Sequence, residues 1–280
     1  GYRIHLTTIG GCMGGSITYS ATKLHVPGKK GVISKGADGW YPNVPMGGLG
    51  CLNSAGAFYL LNESRAALES STEFMRKASE GCLYSEVGHP RMEPGMRVED
   101  FMMRARDVRE SNWCNALTNV TLNDNGARDQ RNQPICLITA DVKPYGVHKH
   151  VAQEALEDPR LNLCYSIRCI TMKSVMRGVE YRTIVEAYNF DLVGEPGIYE
   201  AKKRYSPSLE SFAPKLSSTG SEIEINTKLI RSMQTHATSM RALGLSVESA
   251  DQLNDLAVRL EGYYKRASSM MVPFVFGWSR

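Results

Sequence analysis

Apolar residues change their spacing several times along the chain, and each change predicts an element. From Ser54 to Gly81, the residues Ala57, Leu60, Leu61, Ala67, Leu68, Phe74 and Met75 recur at three- and four-residue intervals. That is the period of one or two amphipathic helices, with Gly81 as the stop. A short strand-like piece, Cys82-Leu83-Tyr84, follows. After Pro94 the chain reads as β-rich: Val98–Val108 and Asn115–Leu122 carry Val, Phe and Thr, and Asn123-Asp124-Asn125-Gly126 signals a turn. Pro134–Ala140 is a short apolar strand. Gly146–Leu156 presents Val147, Val151 and Ala155 at helical spacing and is stopped by Asp158-Pro159, because proline disfavours the helical region in the residue before it. Leu161–Met172 and Tyr181–Val193 alternate as strands, with Gly178 in the turn region between them.

Residues 206–220 (SPSLESFAPKLSSTG) keep no period and predict a linker. Beyond it, Ile223–Leu243 and Ser249–Ala267 return to helical spacing on either side of Gly244, and the chain ends in the apolar MMVPFVFGW. The division expected is a body at 1–205, a linker at 206–220 and a helical tail at 221–280.

Composition narrows the function classes. With 42% hydrophobic and 22% charged residues the chain is globular, not disordered. A net charge of +4 on 33 basic and 29 acidic residues lacks the basic stripe of a dedicated nucleic-acid binder. The apolar run Met270–Trp278 is far shorter than the roughly 20 residues needed to span a bilayer, and GYRIHLTTIGG is no secretory signal. The first 56 residues are rich in glycine, but GKKGV does not meet the GxxxxGK[ST] pattern of a phosphate loop. The 7 cysteines are scattered without a CxxC pair, which argues against a zinc ribbon or a disulfide framework and for reduced thiols in a cytosolic compartment.

Three segments could carry chemistry. His89 stands between Gly88 and Pro90, which hold it at a strand end or tight turn; a turn-stabilising histidine fits the same residues. The other histidines offer less. His5 and His25 lie in the glycine-rich start, His236 lies on a helix face expected to be solvated, and His148 and His150 diverge at the opening of a helix. In the strand from Asn162 to Cys169, Leu163, Tyr165 and Ile167 form one face, and Asn162, Cys164, Ser166 and Arg168 the other. A hydroxyl beside a fixed positive charge suits acyl transfer, although an ordinary solvent-facing strand has the same pattern. The strand from Tyr188 to Val193 puts Asn189 and Asp191 on one face, where a carboxylate could orient a histidine. His, Asp and Glu do not cluster at metal-ligand spacings, which disfavours a metal hydrolase.

In this order the segments resemble the prohead maturation protease of tailed phages, of the T-even and giant-myophage type. The motifs are Glu86-Val87-Gly88-His89-Pro90, Tyr165-Ser166-Ile167-Arg168-Cys169 and Asn189-Phe190-Asp191-Leu192-Val193-Gly194-Glu195-Pro196, within residues 50–200. Two positions depart from the family pattern. Its second serine is Ile167 here, and its glycine after the arginine is Cys169.

The resemblance implies an α+β fold, a compact β-barrel wrapped by helices as in the herpesvirus assemblins, with a helical C-terminal tail and assembly into homo-oligomers. It implies a serine endopeptidase with Ser166 as nucleophile, His89 as general base, Asp191 as the third member and Arg168 as oxyanion support. Asn189, Glu186 and Glu195 compete for the third place, and Cys164 is the other nucleophile candidate. No metal and no cofactor is expected, and the partners are phage scaffold and capsid proteins, with neither nucleic acid nor membrane. The setting is the prohead interior, assembled in the host cytoplasm.

The resemblance further implies cleavage after a glutamate that has a small or aliphatic side chain two residues earlier, and cleavage of the chain by itself. Ser208-Leu209-Glu210 and Ser246-Val247-Glu248 fit that pattern, so Glu210 and Glu248 are the candidate self-cleavage residues and 280 residues the precursor length. A basic subsite would come from Arg168, Lys173 or Arg177. The alternative is a catalytically silent capsid- or scaffold-interacting protein of the same fold.

Overall fold

The protein is described by a computed structural model at residues 33–53, 56–124, 134–194, 223–269 and 274–278. Its strands form two sheets. In the first, β1 (Tyr41–Leu49), β5 (Cys136–Pro144), β4 (Trp113–Asn123) and β3 (Leu83–Glu86) pair antiparallel in that order. In the second, the order is β2 (Phe58–Tyr59), β7 (Val179–Val193), β6 (Cys164–Met176), β9 (Phe274–Trp278) and β8 (Ile223–Glu224). Among the described residues no closed barrel is found; two isolated bridges join the sheets, Val87 to Leu192 (parallel) beyond the end of β3 and Leu52 to Phe58 (antiparallel) beyond the end of β1.

β6 and β7 form one long hairpin. Arg177 and Gly178 supply its two-residue turn, both at positive φ (51° and 78°), the geometry that matches the right-handed twist of the strands. Leu163 and, on β6, Tyr165, Ile167 and Cys169 enter a core between the sheets, which Phe190 of β7 and Leu68 and Phe74 of the helices α1 (Leu61–Ser70) and α2 (Thr72–Ser79) complete. The pairing slips once near the site. Arg168 opposes Asn189 while Cys169 opposes Ala187, leaving Tyr188 as the extra residue of a β-bulge. The bulge re-phases β7, so Asn189 and Asp191 line the face that carries Arg168 and Ser166.

The opposite face of the hairpin continues into a second core. There Ile170 packs with α3 (Val98–Arg106), α5 (Thr227–Ala242) and α6 (Val247–Ser269) through Phe101, Met102, Met233, Leu256 and Leu260. The stretch Val98–Val108, expected as a strand, is therefore a helix over Val98–Arg106. Val98, Phe101, Met102 and Ala105 recur at three- and four-residue spacing, and burial of that stripe outweighs the β-preference of Val and Phe. The helical tail is part of the same body as the sheets, since β9, which follows α6, pairs with β6 from Arg168↔Trp278 to Met172↔Phe274. Gly244 turns α5 into α6 at positive φ (67°). The linker at 206–220 lies outside the described residues.

Candidate active site

The backbone at Val87-Gly88 docks on β7: Gly88 N donates to Leu192 O at 2.7 Å, beside the Val87–Leu192 bridge. Gly88 has φ 75°, a conformation that favours glycine, and the turn it allows brings the next residue against β7. There His89 Nδ1 lies 2.6 Å from Asp191 Oδ2. Asp191 is fully buried and stands directly across from Ser166 in the β6–β7 pair. Directly opposed residues project from the same face, with Cβ atoms about 4.5–5.5 Å apart. The hydroxyl-bearing residue, the carboxylate and the imidazole therefore gather at one end of the hairpin. Ser166 itself is 3% exposed.

Asp191 is held from several sides. Arg168 Nε donates to Oδ2 at 2.9 Å, and its Nη2 and Asn189 Nδ2 donate to Oδ1 at 2.7 and 2.8 Å. Burial by itself raises the carboxyl pKa, but the Arg168 charge and the hydrogen bonds from His89 and Arg168 outweigh it and hold Asp191 down at about 2. The remaining Arg168 donors are also engaged: Nη1 reaches Ala105 O at 3.2 Å and Asp107 O at 3.1 Å, and Nη2 reaches Glu86 Oε2 at 3.1 Å. A guanidinium has five N–H groups, and these contacts match all five. Arg168 is thus placed as a clamp on Asp191.

The competitors fall elsewhere. Glu186 pairs with Arg259 of α6 at 2.9 Å, and Asn189 spends its amide on Asp191 and on Tyr84 O at 3.2 Å. Glu195 and Glu210 lie outside the described residues, as do His5 and His25. Glu248 sits in the first turn of α6, exposed. Cys164 is buried on the same strand but opposes Val193, so it has no carboxylate across from it. His236, expected on a solvated face, turns toward α3 with Nε2 3.4 Å from Asp100 Oδ1. His148 and His150 stand at the start of α4 (Lys149–Glu157) with ring centroids 6.3 Å apart. Among the described residues no three His, Cys, Asp or Glu side chains gather as a metal site, and no helix is long and apolar enough to cross a membrane.

Two of the three arginine and lysine candidates for a basic subsite are remote. Lys173 and Arg177 lie seven and eleven residues past Ser166 on the hairpin, roughly 20 and 35 Å at the rise of a strand; Lys173 is also paired with Glu180 at 2.8 Å. A solvent-open cleft borders His89 and is lined by Glu86, Arg91, Met96, Arg104 and Arg109. Nothing in the sequence spacing of these arginines marks them as neighbours of His89.

The family known as peptidase S80 matches residues 19–257, which include every element of this site. The chain belongs to the peptidase S80 family. It is also similar to the capsid maturation protease of Pseudomonas phage phiKZ, with 34% identity over 192 residues that cover 67% of this chain and 69% of the relative. No solved structure matches. Membership in a peptidase family fits a site in which a serine, a histidine and a carboxylate come from three separate segments of the chain.

Proposed function

We propose that this chain is a serine endopeptidase of phage head maturation. It cleaves scaffold, capsid and internal head proteins after glutamate inside the prohead, and processes itself. The observation that carries the reading is the His89–Asp191 contact of 2.6 Å, with Ser166 opposite the same aspartate. A carboxylate on Nδ1 leaves Nε2 as the basic nitrogen, the tautomer that a general base needs.

The chemistry runs as acyl transfer. His89 Nε2 takes the proton as Ser166 Oγ attacks the scissile carbonyl, and Asp191 stabilises the imidazolium that forms. The same proton passes to the leaving amine. Water, deprotonated by His89, then releases the acyl group and regenerates Ser166. Asp191 stays ionised throughout, because Arg168 holds it below the usual carboxylate range.

The likeness to the phiKZ capsid maturation protease supports capsid proteins as substrates and the prohead as the setting. The cleft beside His89 supports an acidic substrate side chain. Arg91 is exposed at its rim, and among the described residues Arg109 pairs its side chain with the solvent-exposed Asp107 at 3.5 Å. The test is cleavage of peptides with a single glutamate, followed by product mass. We expect one cut on the carboxyl side of the glutamate, absent from Ser166→Ala. A cut that persists in Ser166→Ala, or no cut by assembled wild-type protein, would overturn the reading.

A further inference from the structure

Behind Asp191 lies a second carboxylate. Glu86, at the end of β3, is 1% exposed and three residues before His89 in the chain. Arg104 of α3 donates to it through Nη1 at 3.0 Å and Nη2 at 2.6 Å, and the Arg109 backbone N–H donates at 2.5 Å. Arg168 Nη2 lies between the two acids, 3.1 Å from Glu86 Oε2 and 2.7 Å from Asp191 Oδ1. The order in space is Arg104, Glu86, Arg168, Asp191, His89. Opposite charges alternate along it, and the two acids balance the two guanidiniums.

Such an array is costly to break, because each buried charge depends on its neighbour for compensation. Arg168 has no exposed surface and does not reach solvent, so its orientation is set by what holds it. Asp191 grips Nε and Nη2, Glu86 grips Nη2 from the other side, and the carbonyls of Ala105 and Asp107 grip Nη1. Without the Glu86 charge, two guanidiniums would face one carboxylate.

We propose that Glu86 is a positioning residue of the reaction: acting through Arg168, it fixes the Asp191 carboxylate and sets the charge that His89 feels. This rests on the reading of His89 as general base. Around that histidine the charged and titratable groups are Glu86 from β3, Arg104 from α3, Arg168 from β6 and Asp191 from β7. Cys114 of β4 is a further buried group, kept as the neutral thiol by burial and then by the charges of Asp191 and Glu86. Arg91, Glu93 and Arg109 line the cleft on the exposed side.

The array makes a prediction of sign. Removing the Glu86 charge leaves excess positive charge near the imidazole and disfavours its protonated form. Glu86→Gln therefore lowers the pH at which His89 titrates. Arg168→Gln and Arg104→Gln remove positive charge and raise it. A purely structural role for Glu86 would reduce the amount of folded protein and leave the midpoint where it was.

The experiment follows the His89 imidazole by NMR in the full chain carrying Ser166→Ala, alone and with each substitution. The acid limb of kcat/KM is measured in parallel in the Ser166 background. We expect Glu86→Gln to move the midpoint down by about half a pH unit or more, and both arginine variants to move it up by a similar amount. Midpoints that stay fixed, or that move the same way for Glu86→Gln and Arg168→Gln, would overturn the inference. If Glu86→Gln does not fold, Arg104→Gln carries the test by itself, since it leaves the Glu86 charge in excess; an unmoved midpoint there is equally fatal. Absence of peptide cleavage in every variant would count against the proposed function, while the NMR titration still decides the role of Glu86.

Discussion

His89 Nδ1 and Asp191 Oδ2 meet at 2.6 Å across 102 residues of chain. Gly88, bonded to Leu192 O, brings the histidine to the strand, and the β-bulge at Tyr188 turns the aspartate toward it. Asp191→Asn keeps the shape but removes the charge and offers His89 an amide, so the wrong tautomer is favoured. The expected loss in kcat is about 10³–10⁴-fold. Steady-state kinetics checks it. A loss below tenfold would show that Asp191 does not orient the base.

Asp191 also links stability to pH. Its carboxyl titrates at about 2 in the folded protein against an ordinary value of 3.8. A depressed pKa means stability that is present above the unfolded value and lost as pH falls through the folded one. The protein should therefore lose about 2 kcal/mol between pH 4 and pH 2 from this group. Urea unfolding at several pH values measures it. In Asp191→Asn this part of the slope should vanish.

The helices after the linker share a core with α3 and feed β9 onto β6, the strand of Ser166. Ion pairs add to it, Arg259 to Glu186 at 2.9 Å and Arg106 to Asp255 at 3.6 Å. Cleavage anywhere in 206–220 should leave a nicked complex. With a site for an exogenous protease placed there and cut, both fragments should elute together in gel filtration and keep peptidase activity. Separation of the fragments with activity intact would show a detachable tail.

Much of this was legible in the residues. β6 and the Asn189–Val193 end of β7 were readable because one face of each is apolar and the other polar, and the period of two survives on that side of the bulge. The helices α5 and α6 were readable from Leu229, Met233, Leu253, Leu256 and Leu260 at helical spacing. α3 was misread because Val98, Phe101 and Val108 suit strands, while its buried stripe is visible only beside the α5–α6 pair that covers it. His89, Ser166 and Asp191 stood in short motifs. The clamp on Arg168 did not, because Glu86, Ala105 and Asp107 reach it from another sheet and from the end of a helix. The docking of MMVPFVFGW on β6 was hidden for the same reason, since strand pairing across a hundred residues leaves no local period.

Gly146 offers a test of the packing beside the site. Its φ is 89°, and a Cβ there would lie 2.5 Å from Trp113 Cβ and 2.8 Å from Trp113 O. Trp113 stacks on Tyr84 at 3.9 Å, and the Tyr84 carbonyl accepts from Asn189. Gly146→Ala should destabilise the fold by about 1–3 kcal/mol, read as a lower Tm. An unchanged Tm would mean that the Trp113 backbone yields at no cost.

The central claim is that Ser166 is the nucleophile and that the His89–Asp191 pair activates it. The direct measurement is covalent labelling by a fluorophosphonate, with the modified residue located by peptide mass, under conditions where the protein cleaves peptide. The account predicts a single adduct, on Ser166, absent from Ser166→Ala and strongly reduced in His89→Gln. An adduct on another residue, or full labelling of Ser166 in His89→Gln, would contradict it.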